Sequence, residues 1–335
     1  MRKGILLIVV GFLLFCVFVG TASAKTWYVD DDLQDFPYAD FTKIQDAVNI
    51  ASSGDMIIVY NGTYYERVEI NKQLNLTGIG MPVVNASGEG SVITLRADEC
   101  VLDSFKVTGS GEEYIADDAG VRVYSDNNLI KNNNITNNNQ HGIYSRNSKN
   151  NTIIQNDINN CIIGIESWNI SENKFISNHV SNITFLGIFL SDSVNNNLSN
   201  NIFSNNYVGI HLEEREHDSK ENIIVNNSII DNHDGIELRW SNNNIVANNL
   251  IANNSRGIDV YGDYNQIYHN NFINNTKQAL DYSGTNIWDD GYPSGGNYWG
   301  DYIVEDKYSG PCQDQPGSDG ICDTPYVIPE VAREK

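Results

Sequence analysis

The sequence predicts an all-β solenoid, a parallel β-helix built from coils of about 22 residues, and two observations carry that expectation. The first is a glycine register. Gly120, Gly142, Gly164, Gly187, Gly209, Gly235 and Gly257 are separated by 22, 22, 23, 22, 26 and 22 residues, and a further step of 22 reaches Ala279. Six of these glycines precede Ile, and Gly120 precedes Val. A fixed period of this kind is the signature of a repeat architecture. The second is the content of each period: three short apolar runs, such as 236–238, 245–246 and 250–251, separated by Asn-rich corners. Asn, Gly and β-branched residues are poor helix formers, and Asn tolerates the left-handed backbone of a sharp corner. Three strands per coil, stacked in parallel at about 4.8 Å, satisfy this pattern. An Asn stands four residues before the glycine position in most turns (Asn138, Asn160, Asn205, Asn253, Asn275), with Asp231 in one. Recurring at one corner, its amide can donate to one coil and accept from the other, as in stacked amide ladders.

Ahead of the repeat, residues 1–24 read as a secretory signal peptide: Arg2 and Lys3, an apolar run over 5–20, then the cleavage pattern Ala22-Ser23-Ala24. No second apolar run follows, so no membrane span is expected after its removal. Residues 25–80 are expected to form the N-terminal cap and first strands. Within them "DFTKIQDAVNIA" (40–51) sets Phe41, Ile44, Ala47, Val48 and Ala51 at helical spacing, and a helix there would cover the open end of a solenoid. Residues 81–285 form the coils, with "EEREHDSKEN" in the 26-residue step expected to bulge from one corner. Residues 286–335 form an irregular C-terminal cap. Its aromatic cluster, Trp288, Tyr292, Tyr298, Trp299 and Tyr302, reads as a lid over strand edges that would otherwise be open. Cys312 and Cys322 bracket a turn-rich loop and are expected to pair as a disulfide in an exported chain. Cys100 and Cys161 read as buried hydrophobes.

The net charge is −22, and loss of Arg2 and Lys3 with the leader makes it −24. So acidic a surface lacks the cations that displace counterions from phosphate backbones, which argues against nucleic acid as a partner. It disfavours polyanions and favours divalent cations.

The stretch "TWYVDDD" followed by "DFTKIQDAVNIASSGDMIIVYNGTYYERVEI" and then Gly-Ile/Asn coils resembles right-handed parallel β-helix proteins of the NosD type. These lie in the pectin-lyase-like superfamily, with its carbohydrate-binding and sugar-hydrolase repeat domains. The closing "NIWDDGYPSGGNYWGDY" and "SDGICDTPYVI" are similar to the C-terminal segment of archaeal and bacterial surface members. The resemblance implies the fold. It leaves function open, because the superfamily holds lyases, hydrolases, esterases, epimerases and non-enzymatic surface proteins.

Strand alternation turns positions two and four after each glycine outward. The first column reads Arg122, Tyr144, Glu166, Phe189, His211, Glu237 and Asp259, and the second Tyr124, Arg146, Trp168, Ser191, Glu213, Arg239 and Tyr261. Aromatic planes stack on sugar rings while carboxylates and guanidinium groups bond hydroxyls. A carbohydrate-binding groove is therefore expected along this face, using Tyr144, Glu166, Trp168, Glu213 and Tyr261. A catalytic version rests on His211, Glu237, Arg239 and Asp259. Glu237 and Asp259 stand on successive coils, roughly 5 Å apart by strand spacing, which suits a retaining glycosidase pair or a shared calcium. Arg239 is a candidate base for a lyase. The remaining histidines (His141, His179, His217, His233, His269) read as corner or surface residues. In the cap, Asp314, Asp319 and Asp323 around glycines are candidate ligands for calcium, a hard cation that takes oxygen donors. Copper, which the NosD name implies, is not expected, because the histidines share no column and Met is scarce. Three functions stay open: a secreted or cell-surface protein binding an envelope polysaccharide or glycoprotein without catalysis, a polysaccharide lyase or glycoside hydrolase, and a NosD-like accessory factor for metalloenzyme maturation.

Overall fold

The computed structural model describes residues 24–113 and 117–329. The expected leader, Ala24 apart, lies outside the described residues. Three parallel sheets of 11, 10 and 11 strands run the length of the solenoid, each strand pairing with its equivalents on the adjacent coils. One coil runs Asp234–Arg239, Ile245–Ala247, Leu250–Ala252 and then returns to the first sheet at Arg256–Val260. Inward columns fill the bore: Ile143, Ile165, Ile188, Ile210, Ile236 and Ile258 stand in register and are each 1% exposed or less.

Paired asparagines divide the work at each corner. In "NNNIVANNLIANN" the first member of each pair, Asn243, Asn248 or Asn253, takes φ of 54, 58 or 57°, the left-handed conformation. The second member, Asn244, Asn249 or Asn254, turns inward and is buried. Asn249 Nδ2 donates to Ile224 O at 2.8 Å and to Asn270 Oδ1 at 2.9 Å, while its own Oδ1 accepts from Asn227 at 2.9 and 3.0 Å. Two such rows climb the solenoid unbroken, from Asn128 to Asn286 and from Asn133 to Asn297. The Asn column four residues before the glycine therefore resolves into two kinds of residue. Asn138 and Asn275 are row members, whereas Asn160, Asn205, Asp231 and Asn253 are left-handed corners.

The glycines have a steric cause. A Cβ at Gly142 would stand 2.6 Å from the Gly164 carbonyl oxygen and from Ile158 Cγ2. The chain bends so tightly there that two-residue alternation restarts, and the residue before each glycine faces outward again.

Strand β1 (Thr26–Val29) precedes α1 (Ile44–Ile50), the one helix among the described residues, and β2 (Met56–Val59) pairs with β1. The helix is shorter than the apolar spacing over 40–51 implied. It buries Ile44, Ala47 and Val48 over the end of the bore. No local side chain caps it. Instead Glu66 accepts from the Ile44 and Gln45 amides at 2.8 and 3.0 Å, and Lys72 Nζ donates to the carbonyls of Val48, Asn49 and Ala51.

At the far end the lid reading holds for three of its five aromatics. Trp299 stacks on Phe272 of the last coil at 4.6 Å, Tyr326 stacks on Trp299 at 4.1 Å, and Trp288 and Tyr302 pack around them. Tyr292 and Tyr298 point to solvent. The expected Cys312–Cys322 disulfide is not formed; both thiols are free and exposed. Carboxylates close that loop instead, with Asp323 accepting from the Lys307 and Tyr308 amides and Asp306 from Asp319 and Gly320.

Substituting each half of an Asn pair separates the two roles. Asn249→Ala takes the acceptor from the Asn227 backbone amide and a donor from the Ile224 carbonyl, and at about 1–3 kcal/mol per buried unsatisfied group it is expected to lower the denaturation midpoint strongly. Asn248→Gly keeps the left-handed corner and is expected to change stability by only a few tenths of a kcal/mol. Urea unfolding followed by circular dichroism checks both.

Candidate functional site

The outward columns stand in the expected register. Tyr144, Glu166, Phe189, His211, Glu237 and Asp259 are successive partners, as are Arg146, Trp168, Ser191, Glu213 and Arg239. The glycine corner adds a third outward column: His141, Ile163, Leu186, Val208, Asp234 and Arg256. This third column decides what the face can do.

Over the middle coils the face is closed. His141, read from sequence as a corner or surface residue, is 1% exposed, with Nε2 2.5 Å from Glu166 Oε2 and Nδ1 3.0 Å from the Asp118 carbonyl. Glu166 Oε1 accepts from Trp168 Nε1 at 2.7 Å. Tyr144 and Glu166 are each 2% exposed, so neither meets solvent as the expected groove residues would. Beside them Ile163, Leu186, Phe189 and Val208 form a second apolar cluster outside the bore, with Trp168 edge-on to Phe189 at 5.4 Å. The charged loop of the 26-residue step does not bulge away. Asp192 Oδ1 accepts the amides of Arg215, Glu216 and His217, folding the loop back. Arg215 then lies over Trp168 and Phe189 at 4.9 and 5.3 Å and bonds Glu213 at 2.6 Å.

Toward the C-terminal coils the face opens into a cleft of about 170 Å³, lined by Phe185, Leu186, Tyr207, Val208, His211, Asp234, Glu237, Arg239 and Arg256. Its floor is a charge network. His211 Nδ1 lies 2.8 Å from Glu237 Oε2, and Arg239 Nε lies 3.8 Å from the same oxygen. Arg256 spans two carboxylates, Nε bonding Asp234 Oδ1 at 2.6 Å and Nη1 bonding Asp259 Oδ2 at 2.7 Å. Its rim is a stack of three rings on successive coils: Phe185 against Tyr207 at 6.0 Å, and Tyr207 against His233 at 4.6 Å, nearly parallel. Phe185 and Tyr207 are 48% and 46% exposed. Tyr261, an expected ligand contact, stacks on Tyr282 at 4.1 Å with Arg239 over its other side.

The two carboxylates on neighbouring coils have been driven apart. Burial pushes Glu237 up, but its bond to His211 and the charges of His211, Arg239 and Arg256 outweigh that and hold it below the usual glutamate value. Burial also pushes Asp259 up, and with Asp234 and Glu237 nearby the charges of Arg256 and Lys277 do not compensate, so the carboxyl is lifted to about 6. Asp259 Oδ1 has no hydrogen-bond partner.

Sequence reasoning missed Asp234, Arg256 and the Phe185–Tyr207–His233 rim. The signal was present, since Asp234 and Arg256 immediately precede register glycines, but strict alternation assigns those positions to the interior. The expected calcium ligands Asp314, Asp319 and Asp323 are not brought together. Asp319 accepts from Gly310 and Ile321 amides, Asp323 from Lys307 and Tyr308, and Asp314 from Gln315. Among the described residues they form no cluster of ligand atoms.

Comparison with known proteins agrees with this architecture. Residues 90–217 match the family described as "right handed beta helix region", and residues 216–303 match "periplasmic copper-binding protein (NosD)". The chain is a right-handed parallel β-helix whose C-terminal coils are similar to the NosD family. Over 72 residues it is 40% identical to a cell surface glycoprotein of Methanothermus fervidus, a match covering 21% of this β-helix chain and 12% of that relative. Among solved structures it is similar to the A-module of mannuronan C-5 epimerase AlgE4 of Azotobacter vinelandii (TM-score 0.56, 15% identity, 71% of this chain and 75% of that one). It is also similar to the Dettilon tailspike protein (TM-score 0.56, 15% identity, 73% and 62%) and to XylC solved with xylose (TM-score 0.53, 10% identity, 77% and 68%). At these identities the likeness is one of fold. The surface relative and the periplasmic family together point to an envelope or extracellular location for this β-helix protein. Among the described residues no helix is long and apolar enough to cross a membrane.

The copper of the family description does not fit the donors present. The matched segment contains neither Cys nor Met. Its histidines are scattered: His217 in the folded-back loop, His233 stacked on Tyr207, and His269 facing the Ser294 carbonyl at 3.0 Å. Copper sites gather soft or imidazole donors, and these residues do not converge.

The pH behaviour of Asp259 follows from its raised carboxyl. The folded state prefers the protonated form, so no penalty exists below about pH 4, and the penalty is complete once pH exceeds about 6. Asp259→Asn is expected to stabilise the fold at pH 7.5 by roughly 2–3 kcal/mol, at 1.36 kcal/mol per pKa unit, and so to raise Tm, with the gain shrinking toward zero at pH 4. Paired thermal melts at the two pH values check the difference.

Proposed function

We propose that this is an extracytoplasmic surface β-helix protein that binds a linear carbohydrate along its axis, in the cleft floored by His211, Glu237, Arg239 and Arg256. One observation carries the reading: the Phe185–Tyr207–His233 ring stack forms an exposed apolar rim beside a floor of paired donors and acceptors. A sugar has the same two-sided chemistry, with apolar ring faces and a polar edge. Rings on successive coils recur at about the 4.8 Å strand step, so a polymer lying along the axis meets a similar contact at each coil. Arg239 and Arg256 favour hydroxyl-rich or carboxyl-bearing sugars. The groove is shorter than the two outward columns would make it, because the middle of the face is closed by the His141–Glu166–Trp168 contacts.

A catalytic reading has one specific observation in its favour. Glu237 is held ionised while Asp259, in register with it, is lifted to about 6. Two carboxylates with values driven apart are how a general acid is distinguished from its anionic partner, and adjacent coils give roughly the separation of a retaining pair. Asp259 is 1% exposed and lies behind Arg256, which favours binding over turnover.

A glycan panel is the test. Tyr207→Ala and Arg239→Ala are each expected to weaken binding about tenfold, or 1.4 kcal/mol, while Trp240→Ala, at an exposed ring outside the cleft lining, leaves affinity unchanged. Absence of binding to any glycan, or binding indifferent to Tyr207→Ala, overturns the proposal. Release of new chain ends, abolished by Glu237→Gln, would replace binding by catalysis.

A further inference from the structure

The loop leaving β1 carries three consecutive acids, Asp30, Asp31 and Asp32, and each presents a carboxylate oxygen within 4.8 Å of the others. Adjacent acids on a chain normally splay into solvent to relieve repulsion. Here Asp30 is fully buried. Its Oδ2 accepts from the Phe36 amide at 2.5 Å, but its Oδ1 is buried with no partner. Among the described residues, no Lys, Arg or His forms an ion pair with any of the three. A buried carboxylate without a counter-charge is costly unless a cation or proton compensates it.

The surrounding chain is shaped to hold the acids together. Asp31 Oδ2 accepts from Thr63 on the neighbouring coil at 2.9 Å, and Asp32 Oδ1 from Gln34 at 2.9 Å. Gly62 lies directly beneath Asp31, where any Cβ would overlap the carboxylate. Leu33 follows the acids with φ of 61°, turning the loop back toward them. From this geometry we infer that Asp30, Asp31 and Asp32 bind a hard divalent cation, calcium by the chemistry of the donors. An oxygen-only set of irregular shape suits calcium, which accepts six to eight such ligands with water completing the shell. The buried Asp30 carboxylate is the inner ligand and the exposed Asp32 the outer one. Because Asp31 also ties the loop to Thr63, the bound ion fastens the N-terminal loop to the coil beneath it.

Terbium, a luminescent calcium substitute that nearby Trp27 and Tyr60 can sensitise, is titrated into the purified protein and then displaced with calcium. Thermal melts are run in calcium and in chelator. The expected result is sensitised terbium emission that calcium reverses, a calcium affinity of roughly 10⁻⁴–10⁻³ M as in extracellular modules, and a Tm higher in calcium. Asp31→Asn and Asp32→Asn each weaken terbium binding by about tenfold or more, whereas Asp319→Asn and Asp323→Asn in the C-terminal cap leave it unchanged. Asp30→Asn removes the buried charge, so it abolishes the calcium response while raising Tm in chelator. That rise separates a lost ion from a misfolded cap. Absence of calcium-reversible emission overturns the inference, as does emission that survives both Asp31→Asn and Asp32→Asn, or emission lost instead with Asp319→Asn.

Discussion

The buried asparagine amide is the constraint on which the other features rest. A primary amide inside a protein has two donors and one strong acceptor, and leaving them unpaired costs more than most apolar contacts return. Asn249 meets all of these needs only when another Asn stands at the equivalent place on each neighbouring coil. That condition fixes the axial register of every coil. Once register is fixed, the interior columns of Ile, Val and Phe and the outward columns of charged and aromatic residues follow from strand alternation alone. The cleft is a consequence: Glu237 and Asp259 face each other because Asn232 and Asn254 do.

Much of the fold was legible in the sequence because its period is written in residues with narrow backbone roles. Glycine at 22-residue intervals and doubled asparagines leave few architectures. What could not be read was the division of labour within each doublet, since both members are the same residue and only their dihedral angles differ. The helix was visible from Ile44, Ala47 and Val48, but not its capping, because Glu66 and Lys72 are distant in sequence and ordinary in composition.

The site was half legible. The columns two and four residues after glycine were read correctly, whereas the column before glycine was lost because a steric bend resets the alternation. Burial of Tyr144 and Glu166 involves His141, on the same strand as Tyr144 and one coil before Glu166, through a contact that spacing alone does not reveal. The charged loop near 216 looked like an ornament until Asp192 was seen to collect three of its amides. In the cap, acids grouped around glycines resembled a cation loop, yet Asp319 and Asp323 are taken by backbone amides and Asp314 by the Gln315 side chain. At the other end three consecutive acids had drawn no attention, since runs of aspartate are common on solvated loops; a buried member is what distinguishes this one.

A third row, with Asn138 at its start and Asn206, Asn232, Asn254 and Asn275 further along, differs from the other two. Its places at 161 and 183 are held by Cys161 and Ile183, so no side-chain amide crosses between those two coils on that edge, although Ile183 still donates its backbone N–H to Asn206 on the next coil. Every other pair of coils in the asparagine-rich stretch from 206 to 275 is joined by amide links along three edges. Pulled along its axis, the solenoid therefore has a seam, and it lies beside the apolar patch of Ile163, Leu186, Phe189 and Val208. The coils on the C-terminal side, which carry the cleft, make up the more tightly laced portion, so the rod should part into a lighter N-terminal section and a cleft-bearing section that keeps its shape.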